Sequence, residues 1–451
     1  MKNELEYVKK TFYEAVPDKV EAMCDYAVGY ADFISKCKTE RECVTEAVKM
    51  AEAQGYVPYK FGMPMNPGDK FYYNNRGKSI FLFRIGTEDI NEGIRISAAH
   101  IDSPRVDLKQ VPLYEEGGFA YFKTHYYGGI RKYQWVTVPL ALHGVVVKSN
   151  GETVNVVIGE DESDPVLYIS DLLPHLGGEQ SKKALSEAIP GEKLNIIIGS
   201  RDVDGDIKKN ILYILNEKYG ITESDFLSAE LCGVPAGVAR DMGLDRSLIA
   251  AYGHDDRCCS YPALTAILGC EDEKHTLMCI LVDKEETGSD GVSGMQCMVM
   301  QDLLQAIAEA RGGNYASVRA NSKCLSADVS AAYDPNFADV FEKRNSALIN
   351  CGTVLSKYTG ARGKSGTSDA SAEYLAWLRR VMEEYNVVWQ TAELGKVDAG
   401  GGGTVAKFIA NLNIDTVDLG VPVLSMHAPI EVISKADLFE AYRAFDAFCR
   451  Y

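Results

Sequence analysis

Thr276-Leu277-Met278-Cys279-Ile280-Leu281-Val282, followed at once by Asp283-Lys284-Glu285-Glu286-Thr287-Gly288-Ser289, is the stretch from which the fold is read. A short apolar run bounded by turn-forming residues reads as a buried strand. Two adjacent carboxylates at the end of such a strand are what a metal hydrolase requires, one acid to hold a cation and the next to handle a proton. The pair needs partners from far away in the chain.

Working outward, Ser79–Ile85 and Ile94–Ala99 read as strands, and the second delivers His100-Ile101-Asp102-Ser103-Pro104-Arg105 at its C-terminal end, where open α/β sheets build sites. Downstream come a helix near Ser260–Leu268, the strand ending at Asp283, and a helix over about Met295–Ala310. A strand ending at Asp328, a helix over Ser368–Glu384, a strand ending near Met426 and a last helix over Lys435–Cys449 follow. Alternation of this kind predicts an α/β fold with a mostly parallel sheet. Residues 1–55 read as two or three helices, with Tyr7, Phe12, Ala15 and Val16 at helical spacing. Between about 106 and 245 the texture changes to short β-type runs, at Trp135–Val138, Gly144–Val147, Val154–Ile158 and Leu194–Ile198, with one long helix over Ile207–Tyr219. This middle part is expected to be an inserted β-rich domain, and it contains His125, His143 and His175.

The 451 residues exceed what one core usually supports, and 46% hydrophobic content allows a sizeable interior. A net charge of −17 argues against nucleic acid or an anionic membrane as partner. Twelve cysteines without a CxxC pair read as reduced, buried thiols rather than a disulfide framework. With no apolar run of signal or membrane-spanning length, the expected location is cytoplasmic.

Candidate strand ends therefore offer His100 and Asp102, then His254-Asp255-Asp256-Arg257, Glu285-Glu286, Asp328 and His427. Each alone is weak, since a lone His-x-Asp is more often a satisfied hydrogen-bonded pair. Recurrence in five segments carries the argument. Imidazole and carboxylate ligands without thiolates suit zinc or a related divalent ion; Co²⁺ and Mn²⁺ accept the same donors.

As a set, SAAHIDSPR, YGHDDR, DKEETGS, LSADVS and SMHAPIE resemble the M18 metallo-aminopeptidases, the aspartyl aminopeptidase family in its bacterial branch. The resemblance covers nearly the whole chain. It implies a three-layer α/β/α catalytic domain of the dinuclear zinc peptidase type, formed by residues 1–105 and 246–451, with a dimerisation domain at 106–245. It implies two divalent metal ions: one on His100 and Asp328, the other on Glu286 and His427, with Asp255 bridging, although Asp256 has the same chemistry. Glu285 becomes the general base, Asp102 the partner that orients His100, and His175 a residue reaching a neighbouring subunit's site. Lys357 lies near a family position lining the substrate pocket, where a cation recognises an acidic side chain. The following residues, 359–364, depart from the family pattern, leaving Arg362 and Lys364 as alternative donors. The implied activity is removal of N-terminal residues from peptides, and the implied assembly a dimer building a tetrahedral dodecamer. Two other readings use the same residues: a deacylase-type amide hydrolase, and a non-catalytic peptide-binding assembly protein. Gly363-Lys364-Ser365 does not end a P-loop, because Tyr358 stands where the first glycine belongs. Gly400–Gly403 offers either backbone N–H groups for an oxyanion or a plain turn.

Overall fold

The computed structural model describes residues 5–451. Its main sheet has nine strands, and the middle four, in the spatial order Leu277–Val282, Arg95–His100, Lys323–Ala327 and Asp415–Gly420, run parallel. Outside them the sheet is mixed, because Ser79–Arg84 and Thr353–Ser356 pair antiparallel to their inner neighbours. The opening run is buried along its whole length. Met278, Ile280 and Val282 pack in one core with Leu303, Leu304 and Ile307 of the helix Val299–Ala310. Leu277, Cys279 and Leu281 pack in another, with the helices Val20–Lys36, Glu40–Ala53, His254–Gly269 and Lys435–Arg450. Side chains alternate across a strand, so a strand covered on both faces must be apolar throughout. Each such fully buried Leu, Ile or Val contributes about 1.5–3 kcal/mol.

Residues 105–235 build a separate seven-stranded sheet with its own core around Phe122, Trp135, Leu140 and Ile196. The helix Ile207–Tyr219 closes on it, capped by Asp206 at one end and by left-handed Gly220 at the other. The longest hairpin in this sheet, Arg105–Glu116 with Phe119–Tyr127, was not among the expected strands. Its sequence is too charged to show a clean period. Trp135–Val138, expected as a strand, is instead a bend with Thr137 at φ 60°, and the strand starts at Pro139. Trp135 is there to fill the core, at 0% exposure.

At the N-terminus, residues 1–4 lie outside the described residues. The helical spacing expected through Val16 yields only the single turn Phe12–Ala15, and Tyr7 lies outside any helix with its side chain exposed. Val16 precedes Pro17, whose ring disfavours α geometry in the residue before it. A third sheet joins Arg240–Met242, Leu248–Ala251, Glu431–Ser434, Pro422–Leu424 and Ser330–Ala331. All twelve cysteines are free and ten are buried. Among the described residues no helix is long and apolar enough to cross a membrane.

Candidate metal centre

Three of the five expected segments end on the C-terminal edge of the parallel strands. Val282 pairs with His100 in register, so the chain leaves both strands at the same level, towards Asp102 on one side and Glu285-Glu286 on the other; Asp328 follows the next strand over. The other two segments do not come from this sheet. His254–Asp256 follows Leu248–Ala251, and His427 follows Pro422–Leu424; both strands belong to the five-stranded sheet. The site is thus built where two sheets meet.

Asp255 stands between the two imidazoles. Its Oδ1 is 3.2 Å from His100 Nε2 and its Oδ2 is 3.1 Å from His427 Nε2. Glu286 Oε1 lies 3.4 Å from His427 Nε2, and Glu285 Oε2 4.0 Å from His100 Nε2. Ligand atoms of His100, Asp255 and Glu286, of His100, Glu285 and Asp328, and of Asp255, Asp256 and Asp328 each lie within 4.8 Å of one another. Each imidazole has its other nitrogen occupied: His427 Nδ1 faces the Gly129 carbonyl at 2.8 Å and His100 Nδ1 the Asp102 carbonyl at 3.1 Å. With Nδ1 facing those oxygens, both Nε2 atoms are turned towards the carboxylates.

In that arrangement the carboxylates crowd one another around two imidazoles. Burial, reinforced by neighbouring acids, pushes Asp256, Glu285, Glu286 and Asp328 above the ordinary carboxylate range. Burial also opposes charging of His100 and His427, yet the acids outweigh it, carrying His427 to about 11 and His100 well upward. Asp255 is held low despite its burial, by hydrogen bonds to the two histidines. Both oxygens of Asp256 are buried without a hydrogen-bond partner. Buried carboxylate oxygens are expensive unless paired or bound to a metal. The donor set fits a divalent cation with nitrogen and oxygen ligands.

Asp102 ties the two strand ends together. Its Oδ1 accepts from the Glu285 amide at 3.1 Å and lies 3.3 Å from His100 Nδ1, while Oδ2 accepts from the Glu286 amide at 3.2 Å and the Tyr127 hydroxyl at 2.7 Å. Burial pushes its pKa up, but the His100 contact and the other donors outweigh that and hold it below the usual carboxylate range. Glu431 plays the matching part on the second sheet, and sequence reasoning gave it no role. Its Oε2 accepts from the Asp255 amide at 3.0 Å and its Oε1 from the His427 amide at 2.7 Å, holding His427 at φ 67°. Burial and the Asp255 charge push Glu431 up to about 8. A buried glutamate four residues after a candidate histidine was the available signal. The seven-stranded sheet also reaches the centre, through Gly128 and Gly129. A Cβ at Gly128, where φ is +74°, would come 3.2 Å from Glu286 Oε2. Trp135 Nε1 donates to the His427 carbonyl at 3.4 Å.

Among the described residues no hydrogen bond or ion pair joins the remaining candidates to this cluster. His175 is exposed in the turn Pro174–Leu176, flanked by exposed Leu172, Leu173 and Leu176. Lys357 contacts Asp369 and donates to the Ala370 carbonyl at 2.8 Å, and Lys364 pairs with the other oxygen of Asp369 at 2.9 Å. Arg362 lies on the same loop at φ 52°. In the glycine run, the Gly402 amide is spent on the Thr359 carbonyl at 2.9 Å and the Gly400 amide on that of Lys396 at 3.1 Å. A Cβ at Gly401 would come 2.4 Å from Ala361 Cα. The run crosses close to the backbone of Gly360 and Ala361.

A family model described as Aminopeptidase I zinc metalloprotease (M18) matches residues 33–449. The chain belongs to the M18 family of zinc aminopeptidases. It is therefore a metallopeptidase, a hydrolase. A probable M18 family aminopeptidase 1 from Clostridium acetobutylicum is 52% identical over 439 residues, 94% of either chain. The crystal structure of an M18 aminopeptidase from Thermotoga maritima superposes with a TM-score of 0.94 at 44% identity, covering 98% of this chain and 99% of that one. The structure of the S. cerevisiae mApe1 dodecamer has a TM-score of 0.78 at 21% identity, covering 95% of this chain and 97% of that one, a likeness of fold. These M18 structures share the mixed α/β fold.

Proposed function

We propose that this M18 chain is a dinuclear zinc aminopeptidase in which Glu285 is the general base. The observation that carries the reading is Asp255, whose two oxygens face the two imidazoles, beside Asp256, whose buried oxygens have no hydrogen-bond partner. His100 and Asp328 would hold one ion, Glu286 and His427 the other, with Asp255, rather than Asp256, between them. Divalent ions bound there would supply Lewis acidity, lowering the pKa of water and polarising the scissile carbonyl. The chain supplies the rest. Glu285 keeps 17% of its side chain exposed, beside the cluster, and burial raises its proton affinity. It takes a proton from the attacking water on its carboxylate and returns it to the departing amine. Asp102 and Glu431 hold the backbones of Glu285, Glu286, Asp255 and His427 in place, so the base and the ligands keep separate directions although adjacent in sequence.

The three-layer arrangement, with residues 106–245 as an inserted dimerisation domain, is supported by the two cores on opposite faces of the central strands and by the separate core of the second sheet. We propose self-association through that domain, up to a tetrahedral dodecamer, with His175 entering a neighbouring subunit's site. Exposed leucines around His175 and the dodecameric mApe1 support this reading. Of the three loop cations, Arg362 is the one without a carboxylate partner among the described residues, and we assign it the recognition of an acidic N-terminal side chain. Twelve unpaired thiols suit the reducing cytoplasm. Glu285→Gln should retain zinc while hydrolysis of peptides falls by about 10²–10⁴-fold; an unchanged rate removes Glu285 as the base.

A further inference from the structure

Beside the metal centre, on the side formed by the seven-stranded sheet, lies a cleft of about 560 Å³ whose lining includes Tyr126, Gly129, Arg131, Lys132, Tyr133 and Leu185. It begins at the residue whose carbonyl faces His427 Nδ1. The cleft and the cluster therefore share a wall. Arg131 and Lys132 have no carboxylate partner among the described residues, in a chain with a net charge of −17. What each has instead is an aromatic face: the Arg131 guanidinium lies 5.1 Å from the Tyr133 ring centre and Lys132 Nζ 6.0 Å from that of Tyr126. Rings position a cation without neutralising it. Trp135, buried beneath, anchors the same loop to the His427 carbonyl.

We propose that this cleft is a subsite for a carboxylate on the leaving side of the scissile bond. The inference rests on the aminopeptidase reading above. The N-terminal ammonium of a substrate seeks the acids of the cluster, and the first residue ends there. The rest of the peptide must run outward, and the one negative charge that every free peptide carries lies at that far end. A cation pair at the open wall of an acidic site suits that charge, and in a short peptide the charge arrives within reach. An acidic side chain just after the cleaved bond presents the same group. Pairs of this exposed kind are individually weak and screened by salt.

The test uses zinc-loaded, full-length enzyme and three substrates sharing one N-terminal residue X: the dipeptide X-Leu, its amide X-Leu-NH2, and X-Glu-NH2. In low salt, kcat/KM for X-Leu should exceed that for its amide by about threefold to tenfold, and the ratio should shrink at 0.5 M salt. Arg131→Gln with Lys132→Gln should bring the ratio close to one, whereas exchanging the charges as Arg131→Lys with Lys132→Arg should preserve it. A preference for X-Glu-NH2 over X-Leu-NH2 that also vanishes in the double glutamine variant identifies a side-chain carboxylate as a second source. Equal rates for X-Leu and its amide, or a ratio that survives neutralisation, overturn the subsite while leaving the peptidase intact. Failure of the loaded enzyme to cleave any X-initiated peptide, across a panel of X, overturns both.

Discussion

Replacing Asp102 by Asn removes one charge and one acceptor from a fully buried hub that serves four donors. An asparagine has a single oxygen, and its two orientations differ in consequence. With the oxygen towards Glu286 and Tyr127, its NH2 meets the Glu285 amide and His100 Nδ1, donor against donor. With the oxygen towards Glu285 and His100, the NH2 can donate to the Tyr127 hydroxyl, which accepts as well as donates, and only the Glu286 amide loses its partner. The second orientation is preferred. A buried donor left unsatisfied costs about 1–3 kcal/mol, and the loss of charge from the contact with the histidine adds about 1 kcal/mol. The cost falls on the backbone that aims Glu286, so the ion assigned to Glu286 and His427 should be lost first. Zinc titration against a competing chelator should show that one of two binding steps weakens by about 10–100-fold, with kcat/KM falling in parallel. Tyr127→Phe, which removes only the 2.7 Å hydroxyl bond, should cost less in both measurements. If Asp102→Asn binds both ions with wild-type affinity, Asp102 does not orient these groups through the bonds described.

Glu431→Gln should also weaken metal binding, since one of two backbone donors, at 2.7 and 3.0 Å, faces an NH2; unchanged affinity by the same titration refutes its role. Removing zinc with a chelator should lower the unfolding temperature and re-addition restore it, by about 4 kcal/mol of stability at a thousandfold excess over the dissociation constant; calorimetry reads this, and an unchanged midpoint counts against a cation in the cluster. Asp283, buried beside Glu40 and Asp102, is pushed up by burial from 3.8 to about 6, which corresponds to about 3 kcal/mol lost as pH rises from about 4 through 6. Asp283→Asn should therefore raise the unfolding midpoint at pH 7 and flatten its dependence between pH 4 and 6; a lower midpoint at pH 7 refutes this. Gly401→Ala should cost about 1–3 kcal/mol by chemical denaturation, because its Cβ would press on the Ala361 backbone at φ +122°.

The central strand was legible because a strand covered on both faces has no polar position, and Leu277–Val282 has none. Arg95–His100 was expected from its short, mostly small and apolar run despite Arg95 and Ser97, and the helix Ile207–Tyr219 declared itself by period and caps. The hairpin 105–127 was not legible, since charges such as Arg105 and Lys109 are satisfied by Glu40 and Glu192, far off in sequence. Nor were the ion pairs that Lys357 and Lys364 make with Asp369.

For the candidate centre, the amino-acid order alone determined which acids and imidazoles follow apolar runs, and so which could meet. It could not show that Asp255 and His427 descend from a second sheet, or that Glu431 holds the Asp255 amide and Asp102 those of Glu285 and Glu286, each across more than 170 positions in the chain. Burial is written locally, in side-chain chemistry and period. Strand register and the partners of a buried carboxylate depend on which segments pack together, and only the tertiary structure decides that.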